Sequence, residues 1–450
     1  MTALQYQPQC LPKYFSIESE VRSYSRRMQS VFNKALNAEV WDESGIRHVD
    51  FLSACGSVNY GHNNPHLKSA LIDYLASDGI TTSLDLRTTA KRNFLRSLQE
   101  IILTPRGLNY KVQFPGPTGT NAVEAALKLA RKATGRKTVI AFSGGFHGMT
   151  LGALAATSNP VARRGAGIPL PYVHRLRFND FSQLKAFEES LKSNSSSTQY
   201  PAAFIVETLQ AEGGLNIASV PWLNELEKTA KRLGSLLIVD DIQAGCGRTG
   251  HFFSFERADI KPDIVCLSKS ISGFGLPLAI VLISPEFDVW LPGEHSGTFR
   301  GNNLAFVTGA AALQYWNDQN FAAGIASRAA LVTKWVKSLE RKWPGQLNGK
   351  GLGLLQGIAF QSGAIAMACA ARAVTNGLLV ETCGADGEVL KIMPPLTIEL
   401  DVLRDGLMRL KEAIDCVLGD EASTVPTDFC KSKLIKSSIV EKVLQSSPQP

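Results

Sequence analysis

The clearest chemical signal is one lysine. Lys269 closes the apolar run Asp263-Ile-Val-Cys-Leu-Ser and opens the turn Ser270-Ile-Ser-Gly-Phe-Gly. An amine beside an apolar strand has a lowered pKa, which supplies the neutral nucleophile that imine chemistry needs. Upstream, Leu236-Leu-Ile-Val-Asp-Asp ends a second apolar run on two carboxylates. A carboxylate there is costly without a cationic partner. A protonated ring nitrogen would be such a partner for Asp240. A metal ion held by Asp240 and Asp241 is the competing reading, disfavoured because adjacent strand residues point to opposite faces.

Two glycine-containing turns complete the set. In Pro115-Gly-Pro-Thr-Gly-Thr-Asn a strand runs through a Gly/Thr turn into a helix. Backbone N–H groups at a helix start favour an anion, and the Thr118 and Thr120 hydroxyls add donors. No Gly-Lys-Ser/Thr follows, so this is not a Walker loop. In Phe142-Ser-Gly-Gly-Phe-His-Gly-Met-Thr, glycines flank Phe146 and His147, where a ring could stack on a planar ligand. Each segment alone has a plain alternative: a Thr-capped turn, a packed phenylalanine, or a lysine snorkelling at a strand end.

These segments need a scaffold. Runs at Lys111–Phe114, Thr138–Phe142, Ala203–Glu207, Leu236–Asp240, Ile264–Ser268 and Leu278–Ile283 read as strands. Helical patterns lie between most of them, as at Asn121–Ala133 and Val220–Leu233, and Asp240 is expected one helix-plus-strand unit before Lys269. Alternation of this kind predicts an α/β fold, a mainly parallel sheet between helices. Ligands in such sheets bind beyond the carboxyl ends of strands. We expect a large domain over 65–320 and a smaller α+β domain over 321–420. Residues 1–64 join the latter, with a helix start near Ser16 and a hairpin turning at Glu43-Ser-Gly. Residues 421–450 read as a mobile tail with one helix near 432–444.

Composition narrows the classes. The chain has 450 residues, 44% of them hydrophobic, and Lys+Arg exceed Asp+Glu by 47 − 40 = 7. No basic run interleaved with aromatics suggests nucleic acid, and no uncharged apolar stretch of about 18 residues suggests a membrane span. The eight cysteines form no C-x-x-C pair, which fits reduced thiols in a cytoplasmic protein. His62 and His66 are four apart, but Pro65 and Gly61-His-Asn-Asn favour a turn over a helical metal site. No metal is expected.

Taken in order, the phosphate turn, the ring stacker, Asp240 and Lys269 resemble the fold-type I enzymes of pyridoxal 5′-phosphate (PLP), in particular the class III aminotransferases, over about residues 20–415. The resemblance implies a cofactor imine on Lys269, which also moves the substrate proton. It implies Asp240 on the pyridine N–H, Gln243 on the phenolic oxygen and Phe146 with His147 at the ring. Gly119 and Thr120 would take the phosphate. Thr298, in Ser296-Gly-Thr-Phe-Arg-Gly-Asn-Asn, is similar to the phosphate contact that a neighbouring subunit donates, which implies a homodimer with shared sites. Glu207 and Glu212 resemble the family's site glutamates.

Val21-Arg-Ser-Tyr-Ser-Arg, Asn59-Tyr-Gly-His-Asn-Asn-Pro, Phe146-His-Gly-Met-Thr and Gly297-Thr-Phe-Arg-Gly-Asn-Asn look like the diaminobutyrate:2-oxoglutarate aminotransferases. That implies transfer of a terminal amino group between a diamino acid or its semialdehyde and glutamate or 2-oxoglutarate. Many class III enzymes carry arginines where this chain has Met149 and Lys391, the latter facing Glu212. Departures from the subfamily cluster at Thr82, Ala211 and Ser296. Thr82, Met149, Glu212 and Lys391 are therefore the candidate substrate residues. Two other readings stay open: elimination, replacement or C–C bond formation on an amino acid such as S-adenosylmethionine, and a non-catalytic scaffold, which the intact Lys269, Asp240 and Gln243 disfavour.

Overall fold

Five short apolar runs are buried along their whole length: Val139–Phe142, Ala203–Val206, Leu236–Asp240, Ile264–Leu267 and Ile280–Ile283. Strands buried on both faces require covering layers on both sides. The computed structural model, which describes residues 17–193 and 200–420, supplies them. We number the strands of the central sheet β1 (Lys111–Gln113), β2 (Val139–Phe142), β3 (Val173–Leu176), β4 (Ala203–Val206), β5 (Leu236–Asp240), β6 (Ile264–Leu267) and β7 (Ile280–Ile283). They lie in the order β1-β7-β6-β5-β4-β2-β3. Only β7 runs against its neighbours; the other pairs are parallel. Alternate residues sort to opposite faces. Ile140, Phe204, Leu237 and Val265 enter one core, while Val139, Ala203, Ile238 and Ile264 enter the other.

Six of these elements match the expected strands to within two residues. The edge strand β3 was not foreseen: Val173-His-Arg-Leu is half-buried and carries two polar residues. Between β5 and β6 the expected helix is absent, and a single 3₁₀ turn, Glu256–Ala258, takes its place. The glycines at 245, 247 and 250 explain this, since Gly247 and Gly250 sit at φ +95° and +100°, which no helix allows.

A third core joins residues 38–51 to residues 325–418. Ala38, Val49 and Phe51 pack with Ile325, Val336, Ile358, Leu390 and Leu407. The hairpin turns where expected, with Glu39–Asp42 antiparallel to Arg47–Asp50. A second sheet orders β8 (Leu347–Leu352), β9 (Leu355–Phe360), β11 (Val389–Ile392) and β10 (Glu381–Cys383). His62 stands before a helix that starts at Pro65, and Asn64 caps it, so His66 lies in a helix after all. His62 instead meets Asp50 at 3.0 Å. The expected helix start at Ser16 and the helix near 432–444 lie outside the described residues. Among those described, no helix is long and apolar enough to cross a membrane.

Candidate active site

Five strands of one direction, β1, β2, β4, β5 and β6, deliver their carboxyl ends to one edge of the sheet. The segments that leave them line a cavity of about 360 Å³. After β1 comes the helix Gly119–Thr134, which we call α1. Thr118 precedes it in extended conformation, and its N–H donates to the Asn121 side chain at 3.2 Å. The first turn of α1 thus opens onto the cavity with Thr118, Gly119 and Thr120. A Cβ on Gly119 would meet Ile242 at 3.1 Å, so a glycine lets the backbone approach closely there.

After β2, Gly144 turns the chain at φ +78°, and a Cβ there would strike the Gln210 side chain. Phe146 then reaches the cavity, its N–H held by Glu207 Oε1 at 2.8 Å. The other Glu207 oxygen accepts the Ala211 N–H at 3.2 Å. Burial pushes the Glu207 pKa up to about 8, so the acid is largely protonated at neutral pH. Glu207 ties two cavity walls together.

Asp240 ends β5, with Cys266 of β6 beside it in register. Its Oδ2 meets His147 Nδ1 at 2.7 Å, both side chains being almost fully buried. Burial opposes a charged His147, but the hydrogen bond and charge of Asp240 outweigh it and raise its pKa. Asp241 points elsewhere and accepts the Ser254 N–H at 3.0 Å. The two carboxylates diverge, as their strand positions require, and do not form one metal site.

Lys269 follows β6 at φ +51°. A left-handed lysine costs about 1–3 kcal/mol, and its neighbours hold it. Ser268 Oγ donates to Leu278 O at 2.9 Å. Ser270 Oγ donates to Gly56 O at 2.6 Å and accepts the Asn59 N–H at 3.0 Å. Desolvation lowers the Lys269 pKa, with the Glu212 charge opposing it. Gln243 donates to Cys55 O at 3.1 Å, while its buried Oε1 has no protein partner.

The expected residues therefore separate into three groups. Gly119, Thr120, Phe146, His147, Met149, Glu207, Glu212, Asp240, Gln243 and Lys269 all line the cavity. Lys391 lies directly behind, fully buried, with its ammonium 2.7 Å from Glu212. Thr82 and Thr298 do not line it. They sit on an exposed face, where Thr82 bridges Asn302, Ser83 N–H donates to Gly301 O at 3.0 Å, and Arg300 pairs with Asp85 at 2.6 Å. Sequence reasoning missed Glu381, whose carboxylate lies 2.6 Å from the Lys391 ammonium. Its one signal was a carboxylate after the apolar Leu378-Leu-Val. It also missed Ile242 and Gly148 in the lining.

Known proteins share this fold and much of this sequence. A chain titled ornithine aminotransferase from Toxoplasma gondii superposes with a TM-score of 0.79 at 26% identity, covering 90% of this chain and 94% of that one. A diaminobutyrate--2-oxoglutarate transaminase of Halalkalibacterium halodurans is 51% identical over 89% of this chain and 96% of its own length. One of Nocardia farcinica is 52% identical over 89% and 93%. The family model "Aminotransferase class-III" matches residues 21–414. With its strand-end lysine and aspartate meeting in one cavity, the chain belongs to the class III aminotransferases.

Proposed function

We propose that this chain is a PLP-dependent aminotransferase that moves the terminal amino group between 2,4-diaminobutyrate and its semialdehyde, with glutamate and 2-oxoglutarate as the second pair. The observation that carries the reading is one cavity holding an amine of lowered pKa, a buried carboxylate and an open helix start. The names of the relatives at about half identity support the substrate pair. They do not favour the elimination or C–C bond-forming alternative.

The residues fit the cofactor. The α1 start, where Gly119 leaves its backbone N–H uncovered and even a Cβ would crowd Ile242, suits a phosphate. Asp240 suits a protonated ring nitrogen, and Gln243 keeps a buried amide oxygen without a protein partner. When bound, PLP supplies an electron sink that weakens bonds at the carbon bearing the amine. Gly119 and Thr120 would hold the phosphate and Phe146 would cover a ring face. Asp240, oriented by His147, would keep the ring nitrogen protonated. Lys269 would anchor the cofactor and, once displaced by substrate, carry the proton to and from the substrate carbon.

Thr298 and Thr82 belong to the same reading through a second copy of the chain. Their face exposes Leu84, Leu86 and Phe299, which supports a homodimer in which Thr298 serves the partner's phosphate end. The reading also carries a cytoplasmic setting. The test is a half-reaction. The coloured holoenzyme mixed with L-glutamate, or with 2,4-diaminobutyrate, is expected to exchange its visible band for that of the pyridoxamine form. No change with either donor would contradict the assignment.

A further inference from the structure

Charge does not balance on one wall of the cavity. Lys391 is fully buried on β11, and its ammonium is shared by two carboxylates, Glu212 at 2.7 Å and Glu381 at 2.6 Å. Glu212 lines the cavity and is partly exposed, while Glu381 on β10 is almost fully buried behind it. Cross-strand pairing sets Glu381 directly opposite Lys391. One ammonium between two carboxylates leaves one negative charge. Among the described residues, no second cation lies within ion-pair distance of either carboxylate; Lys269, whose charge also favours an ionised Glu212, is the cofactor lysine of the proposed function. Arg27 comes near but hydrogen-bonds Thr382 at 3.2 Å.

Elsewhere in the cavity Asp240 already has partners, His147, whose pKa it raises, and the Ile242 N–H. Glu207 is largely protonated at neutral pH, its pKa raised to about 8 by burial. Glu212 stays ionised: burial opposes its charge, but Lys391 and Lys269 outweigh it. Lys269 is committed to the cofactor in the reading above. No arginine lines the cavity, and Met149 stands where one could have offset the charge. A net charge held over a buried ion pair and facing the cavity favours a ligand of opposite sign.

We propose that Glu381 is a specificity-determining residue: through Lys391 it leaves Glu212 in charge excess, and Glu212 receives the second, non-reacting ammonium of a diamino acid. The inference rests on the aminotransferase reading and deepens it. Had Glu381 been neutral, the Glu212–Lys391 pair would be self-compensating and indifferent to a substrate cation. Tyr24 closes the same cluster, its hydroxyl 2.8 Å from Cys55 Sγ, which in turn lies 3.8 Å from Glu381 Oε2.

The test compares holoenzyme and Glu381→Gln by spectral titration of the half-reaction with 2,4-diaminobutyrate and with 4-aminobutyrate, which lacks the second ammonium. The expected result is an apparent KM for diaminobutyrate raised roughly 10- to 100-fold, the span of a hydrogen bond to a charged group, with kcat changed far less. The preference for diaminobutyrate over 4-aminobutyrate should fall by a similar factor. An intact visible band reports a folded, loaded site. If that variant does not fold, Glu212→Gln removes the same excess charge and should reduce the same preference. A preference unmoved in the folded variant overturns the inference while leaving the aminotransferase reading intact. A wild type that does not convert diaminobutyrate overturns both.

Discussion

The two ends of the cavity are built differently. At one end, Asp240 and Lys269 sit just beyond adjacent parallel strands, in a sheet whose core is buried on both faces. Asp240 meets His147 through Oδ2 at 2.7 Å and accepts the Ile242 N–H through Oδ1 at 3.2 Å, so both its oxygens are held. At the other end, Glu212 comes from a loop after β4, while Glu381 and Lys391 come from a separate small sheet. That cluster holds an odd number of charges. The first end is suited to one fixed ligand, the second to ligands that arrive with a charge. Rigid strand ends are a precise place for fixed chemistry, and a three-charge cluster with two members buried and one facing the cavity is a sensitive place for selection.

The comparison can be broken most sharply at Asp240. Asp240→Asn should lower kcat by about 10²–10⁴, with a much smaller change in substrate KM. An effect confined to KM would put Asp240 on the substrate side. Next comes Lys391→Met, which strands two carboxylates. It should cost about 3–5 kcal/mol of stability in denaturant unfolding, and a loss under about 1 kcal/mol would mean that the cluster is not truly dry. Third, Thr298→Ala should weaken cofactor retention about tenfold by loss of one hydrogen bond to a charged group. Unchanged retention would count against a phosphate site shared between subunits.

The smallest effect concerns pH. Burial raises the Asp241 pKa from 3.8 to about 7. A raised acid binds more protons folded than unfolded, so the wild type loses stability as pH rises from about 4 through 7. Asp241→Asn cannot ionise. Its Tm should gain on the wild type across that window, with the gap constant above it. A gap that does not vary with pH would mean that Asp241 does not titrate there.

The same contrast explains what could be read from the sequence. Asp240, Gln243, Lys269 and the Gly119 turn each lie within a short stretch that also encodes the strand or helix placing them. Local pattern therefore carried both scaffold and site. Glu381 carried no such mark, because its role depends on Lys391 across a hairpin and on Glu212 far along the chain. The His147–Asp240 contact was hidden for the same reason: each residue was legible, their pairing was not. The helix expected between β5 and β6 does not form because the glycines after Gln243 take backbone angles that end regular structure. Thr82 and Thr298 follow from resemblance alone, and only the fold shows that they share an exposed face and do not line the cavity.

The account stands on Lys269. The purified protein should carry PLP with a visible absorbance band that borohydride reduction fixes to the peptide containing Lys269. Lys269→Ala should lose that band, that adduct and at least about 10³-fold of the transamination rate. A colourless wild type that binds no PLP, or an adduct mapped to another lysine, would contradict it.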